Sequence, residues 1–321
     1  MTPTSPLAGD QQPEVLVVAK LWPPMMEALR GAFRVHDRIH QADPAAFAVV
    51  APRVRAISAS GESKVPRELI AQLPALEIIS VFGVGYDGVD VAAARERGVA
   101  VTNTPDVLND EVADLAIALV LSISRRIPQA DRYVREGKWA NGPMPLARKV
   151  SGARLGIVGL GRIGAAIASR AEAFGMSIAY TARSKKPNIA YPYFPSAEAL
   201  AGEVDFLIVI TPGGAGTRKL IDAKVLKALG KDGYLINVAR GSVVDETALI
   251  EALQNGTIAG AGLDVFENEP NVPAALLALD NVVVTPHIGS ATWQTRRAMA
   301  DRAFGNLEAH FAGLPLLSPV P

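Results

Sequence analysis

The sequence predicts an α/β protein built as two doubly wound domains, each a parallel sheet covered by helices. Three observations carry this reading. Short β-rich apolar runs alternate with helical patterns along the chain. One strand end turns on glycines directly into a helix, at GLGRIG (159–164). The 321 residues, 49% of them hydrophobic, suffice for two domains with separate cores.

The elements follow in order. EVLVVAK (14–20) is the first strand run, followed by Pro23 and Pro24. Segments 56–60, 77–83 and 99–103 read as further buried strands, and 66–74 and 89–98 as helices. The longest apolar stretch, VADLAIALVLSI (112–123), is too short to span a bilayer and contains Asp114, so it reads as a buried helix. From residue 153 the rhythm sharpens: ARLGIVG, a helix over 162–175, MSIAYTA, a helix over 196–202, then VDFLIVIT. A helix over 222–229, GYLINVA, a helix over 245–255, IAGAGLDV and NVVVTPH complete it. Segment 290–312 is helical and amphipathic and is expected to cross back to the first domain. The pattern is that of two Rossmann/flavodoxin-like domains with an active site in the cleft between them. The expected division is 1–103 plus 290–321, a substrate-binding domain, and 104–289, a dinucleotide-binding domain. Hinges are expected near Asn103–Pro105 and Pro286–Ser290.

Composition excludes several classes. Basic and acidic residues balance at 32 each, which gives no general attraction to nucleic acid or to an anionic membrane. Cysteine is absent, so disulfides, thiol nucleophiles and thiolate metal sites are excluded. A cytoplasmic setting fits that absence. No metal site is expected. Residues 1–14 are polar and proline-bearing, lack the features of a secretory signal, and read as a frayed tail.

Gly159, Leu160, Gly161, Arg162, Ile163 and Gly164 form G-x-G-x-x-G. The first glycine permits a tight turn, the second lets backbone approach a pyrophosphate, and the third allows close helix–strand packing. The helix that follows turns its amino end toward the phosphates. The motif alone is weak, but here it follows a strand and opens a helix, the context it requires. A site for NAD normally carries an acidic residue about 20 residues on, bound to the ribose 2′-hydroxyl. Ala182 stands there instead, followed by Arg183, Ser184, Lys185 and Lys186. These groups suit a 2′-phosphate, so NADP(H) is the preferred cofactor and NAD(H) the alternative. The bland alternative is a solvated basic loop.

Four histidines exist: His36, His40, His287 and His310. His36 and His40 are expected to be exposed. His287 follows the strand run VVVTP, at the kind of strand end that borders a ligand crevice. It is the candidate proton donor for a ketone undergoing hydride reduction, and the base in reverse. Glu269 lies past another strand end and can pair with the imidazole, with Glu267 and Asp264 as competitors; together they could equally form a solvated acidic loop. Arg240, ending GYLINVAR, can take a 2-keto acid carboxylate through two parallel hydrogen bonds, or pair with Asp245 or Glu246 at the surface. Val84, Gly85 and Tyr86 follow a strand and offer backbone N–H groups as a small anion nest, or form an ordinary turn.

These residues resemble the D-isomer-specific 2-hydroxyacid dehydrogenases over nearly the whole chain. GVGYDGVD, GLGRIG, NVARG, DVFENEP and TPHIGS occur in the family's order. The resemblance implies Arg240, Glu269 and His287 as the catalytic set. It also implies that Thr211, Val238, Ala239, Asp264, His287, Gly289 and Ser290 lie around the cofactor. It implies a homodimer formed through the dinucleotide-binding domain by a helix like 106–126 and the segment after it, which contains Trp139. YTARSKKP is similar to the NADPH-dependent glyoxylate/hydroxypyruvate reductases and the hydroxyphenylpyruvate reductases. The expected activity is reduction of a small 2-keto acid to the D-2-hydroxy acid. Hydroxyphenylpyruvate and 2-ketogluconate are alternative substrates, and a nucleotide-sensing interaction protein on the same fold is the competing class.

Overall fold

The computed structural model describes residues 12–321, and the expected N-terminal tail lies, through residue 11, outside the described residues. The chain divides into two compact units, Met1–Leu108 with Thr292–Pro321, and Asn109–Ala291.

The first unit begins with β1 (Glu14–Val17), α1 (Pro23–Ala32), β2 (Arg34–Asp37), α2 (Ile39–Ala42), α3 (Pro44–Val50) and β3 (Val54–Ser60). It continues with α4 (Arg67–Ala71), β4 (Ile78–Phe82), α5 (Val91–Glu96) and β5 (Ala100–Thr102). All five strands are parallel in the order β2-β1-β3-β4-β5, so the sheet winds outward in both directions from β1 and β3. Its central strands are covered on both faces. That is why β4, IISVF, is buried at every position, apolar but for Ser80, rather than alternating. Each large aliphatic side chain buried there contributes about 1.5–3 kcal/mol. Asp43 and Asp90 start α3 and α5 by accepting the amides of Ala46 and Ala93.

The edge strand β2, RVHD, carries no hydrophobic alternation. Pairing with β1 makes it a strand, which sequence patterning does not reveal. That pairing corrects the expectation for two histidines. The His36 side chain is 14% exposed and its Nε2 lies 2.7 Å from Glu14. His40 is partly buried, its ring 6.2 Å from that of Phe47.

The second unit runs α6 (Asn109–Arg125), α7 (Ile127–Arg135), β6 (Arg154–Val158), α8 (Arg162–Ala173), β7 (Ser177–Thr181) and α9 (Ala197–Ala201). Then come β8 (Phe206–Val209), α10 (Ala223–Leu229), β9 (Tyr234–Asn237), α11 (Glu246–Gln254), β10 (Gly260–Leu263), α12 (Ala274–Leu277) and β11 (Val282–Val284). The six strands are parallel in the order β11-β10-β9-β8-β6-β7. The chain goes from β6 outward to β7, then returns to place β8 on the other side of β6. That reversal opens a crevice at the strand carboxyl ends. β10 is Gly-Ala-Gly-Leu because α6 packs on it closely: a Cβ on Gly262 would sit 3.1 Å from Leu119 Cβ. Arg126, at φ 54°, breaks α6 from α7.

The chain then returns to the first unit as α13 (Trp293–Phe311), capped by Thr292, whose side chain accepts the amide of Thr295. Ser80 on β4 donates its hydroxyl to the Ala303 carbonyl on this helix at 2.8 Å. Asn306 is fully buried and accepts the amides of Leu317 and Ser318, fastening the following segment beside β5. Among the described residues, no helix is long and apolar enough to cross a membrane.

Glu14 is 7% exposed. Burial pushes its carboxyl pKa up, but hydrogen bonds from Arg53 and His36 more than offset this and leave it below the ordinary value. A depressed folded-state pKa stabilises the fold above the unfolded value and loses that contribution as pH falls through the folded one. Glu14→Gln is therefore expected to cost about 1–3 kcal/mol at pH 7. The difference from wild type, read from urea midpoints, should shrink as pH drops below the ordinary glutamate value of 4.5. A difference independent of pH would contradict the assignment.

Candidate active site

In the second unit the candidate residues fall at the carboxyl ends of the parallel strands, one strand after another. β6 ends in the glycine turn. Gly159 has φ 105°, and a Cβ there would lie 2.8 Å from the Ile210 carbonyl oxygen. A Cβ on Gly164 would strike the Gly159 carbonyl, so this glycine is what lets α8 start against the strand. Gly161 differs: a Cβ there would meet nothing within 4 Å. It is the N-cap of α8, supplies no side-chain cap, and leads into Arg162 and Ile163 at the amino end of the helix. Leu160 is 5% exposed and anchors the turn. Beside it, after β8, the Thr211 hydroxyl is buried without a hydrogen-bond partner. Open space at Gly161, uncapped amides and an orphaned hydroxyl together fit a dinucleotide pyrophosphate.

After β7, Ala182 is partly buried, and Arg183, Ser184, Lys185 and Lys186 are exposed. The base of this loop is fixed, because the hydroxyl of fully buried Tyr180 accepts the Lys186 amide at 2.8 Å.

β9 ends in a turn shaped by Asn237. Its amide nitrogen donates to the Arg240 carbonyl at 3.0 Å and its oxygen accepts the Ala239 amide at 3.1 Å. Val238 and Ala239 are 7% and 4% exposed, so they present backbone rather than side chain. Arg240 is half-buried, and its guanidinium donates to the Ala239 carbonyl. Asp245 is occupied by Lys219 at 3.1 Å and by the amide of Ala248, while Glu246 accepts the Glu267 amide. Gly241 packs so tightly against Phe266 that a Cβ would overlap its backbone. This contact ties the Arg240 turn to the loop that carries Glu269.

Glu269 accepts the Phe266 amide with one oxygen, and its other oxygen lies 2.7 Å from His287 Nδ1. Glu267 instead pairs with Arg218 at 3.0 Å. Asp264 is 2% exposed and turned to a different task. It accepts the Thr285 hydroxyl at 2.6 Å and the amides of Ile288 and Gly289 at 2.8 and 2.9 Å. Burial pushes its pKa above the ordinary value despite these donors. His287 has φ 51°, in the left-handed region, and its amide donates to the carbonyls of Asp264 and Thr285. Nδ1 is thus the ring nitrogen turned to Glu269, leaving Nε2 on the opposite side of the imidazole. Ser290 is partly buried and follows Gly289.

In the first unit, the turn after β4 is pinned through its carbonyls. Thr104 donates its amide to the Gly83 oxygen, and the Asn103 side chain donates to the Val84 oxygen at 2.9 Å. The amides of Val84, Gly85 and Tyr86 take no acceptor among the described residues. Three successive amides left this way are donors that an anion could take up. The Tyr86 ring packs against the core. Trp22, after β1, meets Trp293 edge-on with rings 5.9 Å apart, beside a recess of about 380 Å³. Sequence reasoning passed over Asn237 and Thr285, although both lie inside the motifs it used, because neither is a reactive group.

The family model for "D-isomer specific 2-hydroxyacid dehydrogenase, NAD binding domain" matches residues 117–289. Hydroxyphenylpyruvate reductase from Plectranthus scutellarioides is 53% identical over 85% of this chain and 88% of that protein. 2-Ketogluconate reductase from Gluconobacter oxydans is 44% identical over 96% and 99%. Among solved structures, the NADPH-dependent glyoxylate/hydroxypyruvate reductase of Sinorhizobium meliloti, in complex with NADP and malonate, superposes with a TM-score of 0.91. It is 51% identical and covers 97% of each chain. The strand-end constellation, the glycine turn and these likenesses agree, and the chain belongs to the D-isomer-specific 2-hydroxyacid dehydrogenase family, an NAD(P)-dependent oxidoreductase.

Proposed function

We propose that the protein reduces a small 2-keto acid of the glyoxylate/hydroxypyruvate type to the D-2-hydroxy acid, with NADPH as preferred reductant. The observation that carries this is the 2.7 Å contact between His287 Nδ1 and Glu269, with Arg240 held on the neighbouring strand end. A nicotinamide bound there would supply the hydride for the carbonyl carbon. His287 Nε2 delivers a proton to the carbonyl oxygen, and Glu269 holds the imidazole in the orientation and tautomer this needs. Arg240 binds the carboxylate and polarises the carbonyl. The amides of Val84, Gly85 and Tyr86 are the anion-holding feature of the first unit. The dinucleotide is held by the turn 159–164, by Thr211 and by backbone at Val238 and Ala239. Asp264, Gly289 and Ser290 shape the loop behind His287. Residues 1–103 with 290–321 act as the substrate-binding domain and 104–289 as the dinucleotide-binding domain.

The NADPH preference rests on Arg183, Ser184 and Lys185, exposed after β7 where Ala182 replaces an acidic residue. A relative described as NADPH-dependent shares 51% identity, which supports the same reading. A homodimer is part of the proposal. Ile127, Val134, Trp139 and Leu146 are 50%, 56%, 68% and 100% exposed along one stretch of the second unit, more apolar surface than an isolated segment keeps in water.

Three outcomes are expected. His287→Ala lowers turnover by about a thousandfold, within the range of general acid catalysis, and leaves the NADPH dissociation constant unchanged. Lost NADPH binding would instead mark a structural role. Arg183→Ala weakens NADPH by about 10- to 100-fold and NADH by less than about threefold, measured by fluorescence titration. Equal weakening would remove the case for a 2′-phosphate. In sedimentation, the protein runs at twice its 33.8 kDa chain mass, and Trp139→Glu with Leu146→Glu shifts it to the monomer. A wild-type monomer would contradict the assembly.

A further inference from the structure

Arg296 is a cation in an unfavourable place. It lies in the first turn of α13, where the helix dipole disfavours positive charge. Its side chain is half-buried, and its guanidinium carbon lies 5.7 Å from the centre of the Phe82 ring. Burial lowers its pKa, and the one charge acting on it is the Glu62 carboxylate, without an ion pair or side-chain hydrogen bond among the described residues. A cation–π contact offsets part of such a cost, typically about 0.5–2 kcal/mol, and leaves five N–H donors to be satisfied.

The packing shows what the guanidinium faces. Ser80 is bonded to Ala303 and Phe82 lies under Arg296, so α13 runs antiparallel to β4 with its amino end toward the strand's carboxyl end. From Ala303 back to Arg296 the helix covers about 10.5 Å. From Ser80 to Phe82 the strand covers about 6.6 Å. The first turn of α13 therefore overshoots the strand by about 4 Å, the difference of these rises, and reaches over the turn that follows Phe82. That turn carries the unclaimed amides of Val84, Gly85 and Tyr86.

We propose that Arg296 completes a carboxylate-binding site on the first unit, holding the same carboxylate as the 84–86 amides, and so is a substrate-binding residue. The carboxylate supplies the acceptors that both the guanidinium and the amides need. This rests on the keto-acid reading above.

The test uses the full-length protein with NADPH, and glyoxylate and hydroxypyruvate as substrates. Arg296→Met should raise KM for both substrates by about 30-fold, with kcat held within about threefold, since every 2-keto acid carries the carboxylate. Arg296→Lys keeps the charge and should recover part of the loss. Calorimetric binding of oxamate to the NADP-loaded protein should weaken in parallel, while NADPH affinity stays unchanged. A rise confined to hydroxypyruvate would overturn the proposal, because it would place Arg296 on the C3 hydroxyl. A fall in kcat at constant KM, a matching loss of NADPH affinity, or no change would overturn it as well. Wild-type protein that reduces neither substrate and binds no oxamate would instead sink the keto-acid reading itself.

Discussion

Asp264 is a carboxylate removed almost wholly from water, with the hydroxyl of Thr285 and the amides of Ile288 and Gly289 all donating to it. An isolated buried carboxylate is costly, and three donors offset part of that cost, burial still raising the pKa. The arrangement dictates the path of the chain after β11. Residues 285–289 must wrap around one point, which forces His287 into its left-handed conformation and turns its ring toward Glu269. Position at the reactive end of the second unit is set from behind, by a residue that need not touch a ligand itself. Asn237 does similar work for Arg240, and the Gly241–Phe266 contact locks the two strand ends together.

In the first unit, Glu14 meets His36 and Arg53 at the amino end of β1, and Glu77 meets Arg55 and His310 just before β4. Ion pairs occur at a carboxyl end too, where Asp37 closes β2 and meets Arg38 and Arg30. The carboxyl end of β4 is different in character, with unclaimed amides and a guanidinium over an aromatic ring. Parallel strands place every turn after a strand on the same edge, so that end of β4 lies away from the Glu14 and Glu77 pairs.

Much of this was legible beforehand. Buried parallel strands such as FLIV announce themselves as apolar runs, and the glycine turn could be read because sterics leave few alternatives there. Reactive residues could be singled out because each sits just past such a run. Other features were opaque for physical reasons. β2 exists through pairing alone, so RVHD gives no local signal, and His36 was misjudged with it. His40 lies on α2, and its packing against Phe47 has no signal in its polar neighbours. Glu269 was already singled out by the family motif before Pro270; distances add that its competitors are engaged elsewhere, Glu267 with Arg218 and Asp264 with Thr285. Arg296 looks like any helical arginine until the direction of α13 over β4 is known.

The first unit is interrupted by the whole of the second, and its closing helix arrives only with residues 293–311. During synthesis, therefore, β4 emerges early with the Ser80 hydroxyl and one sheet face uncovered, and more than two hundred further residues follow before α13 can dock. The second unit has all of its strands by Val284 and can fold as a unit ahead of it. The unit that begins second on the ribosome is thus the first to have all of its strands and helices in hand.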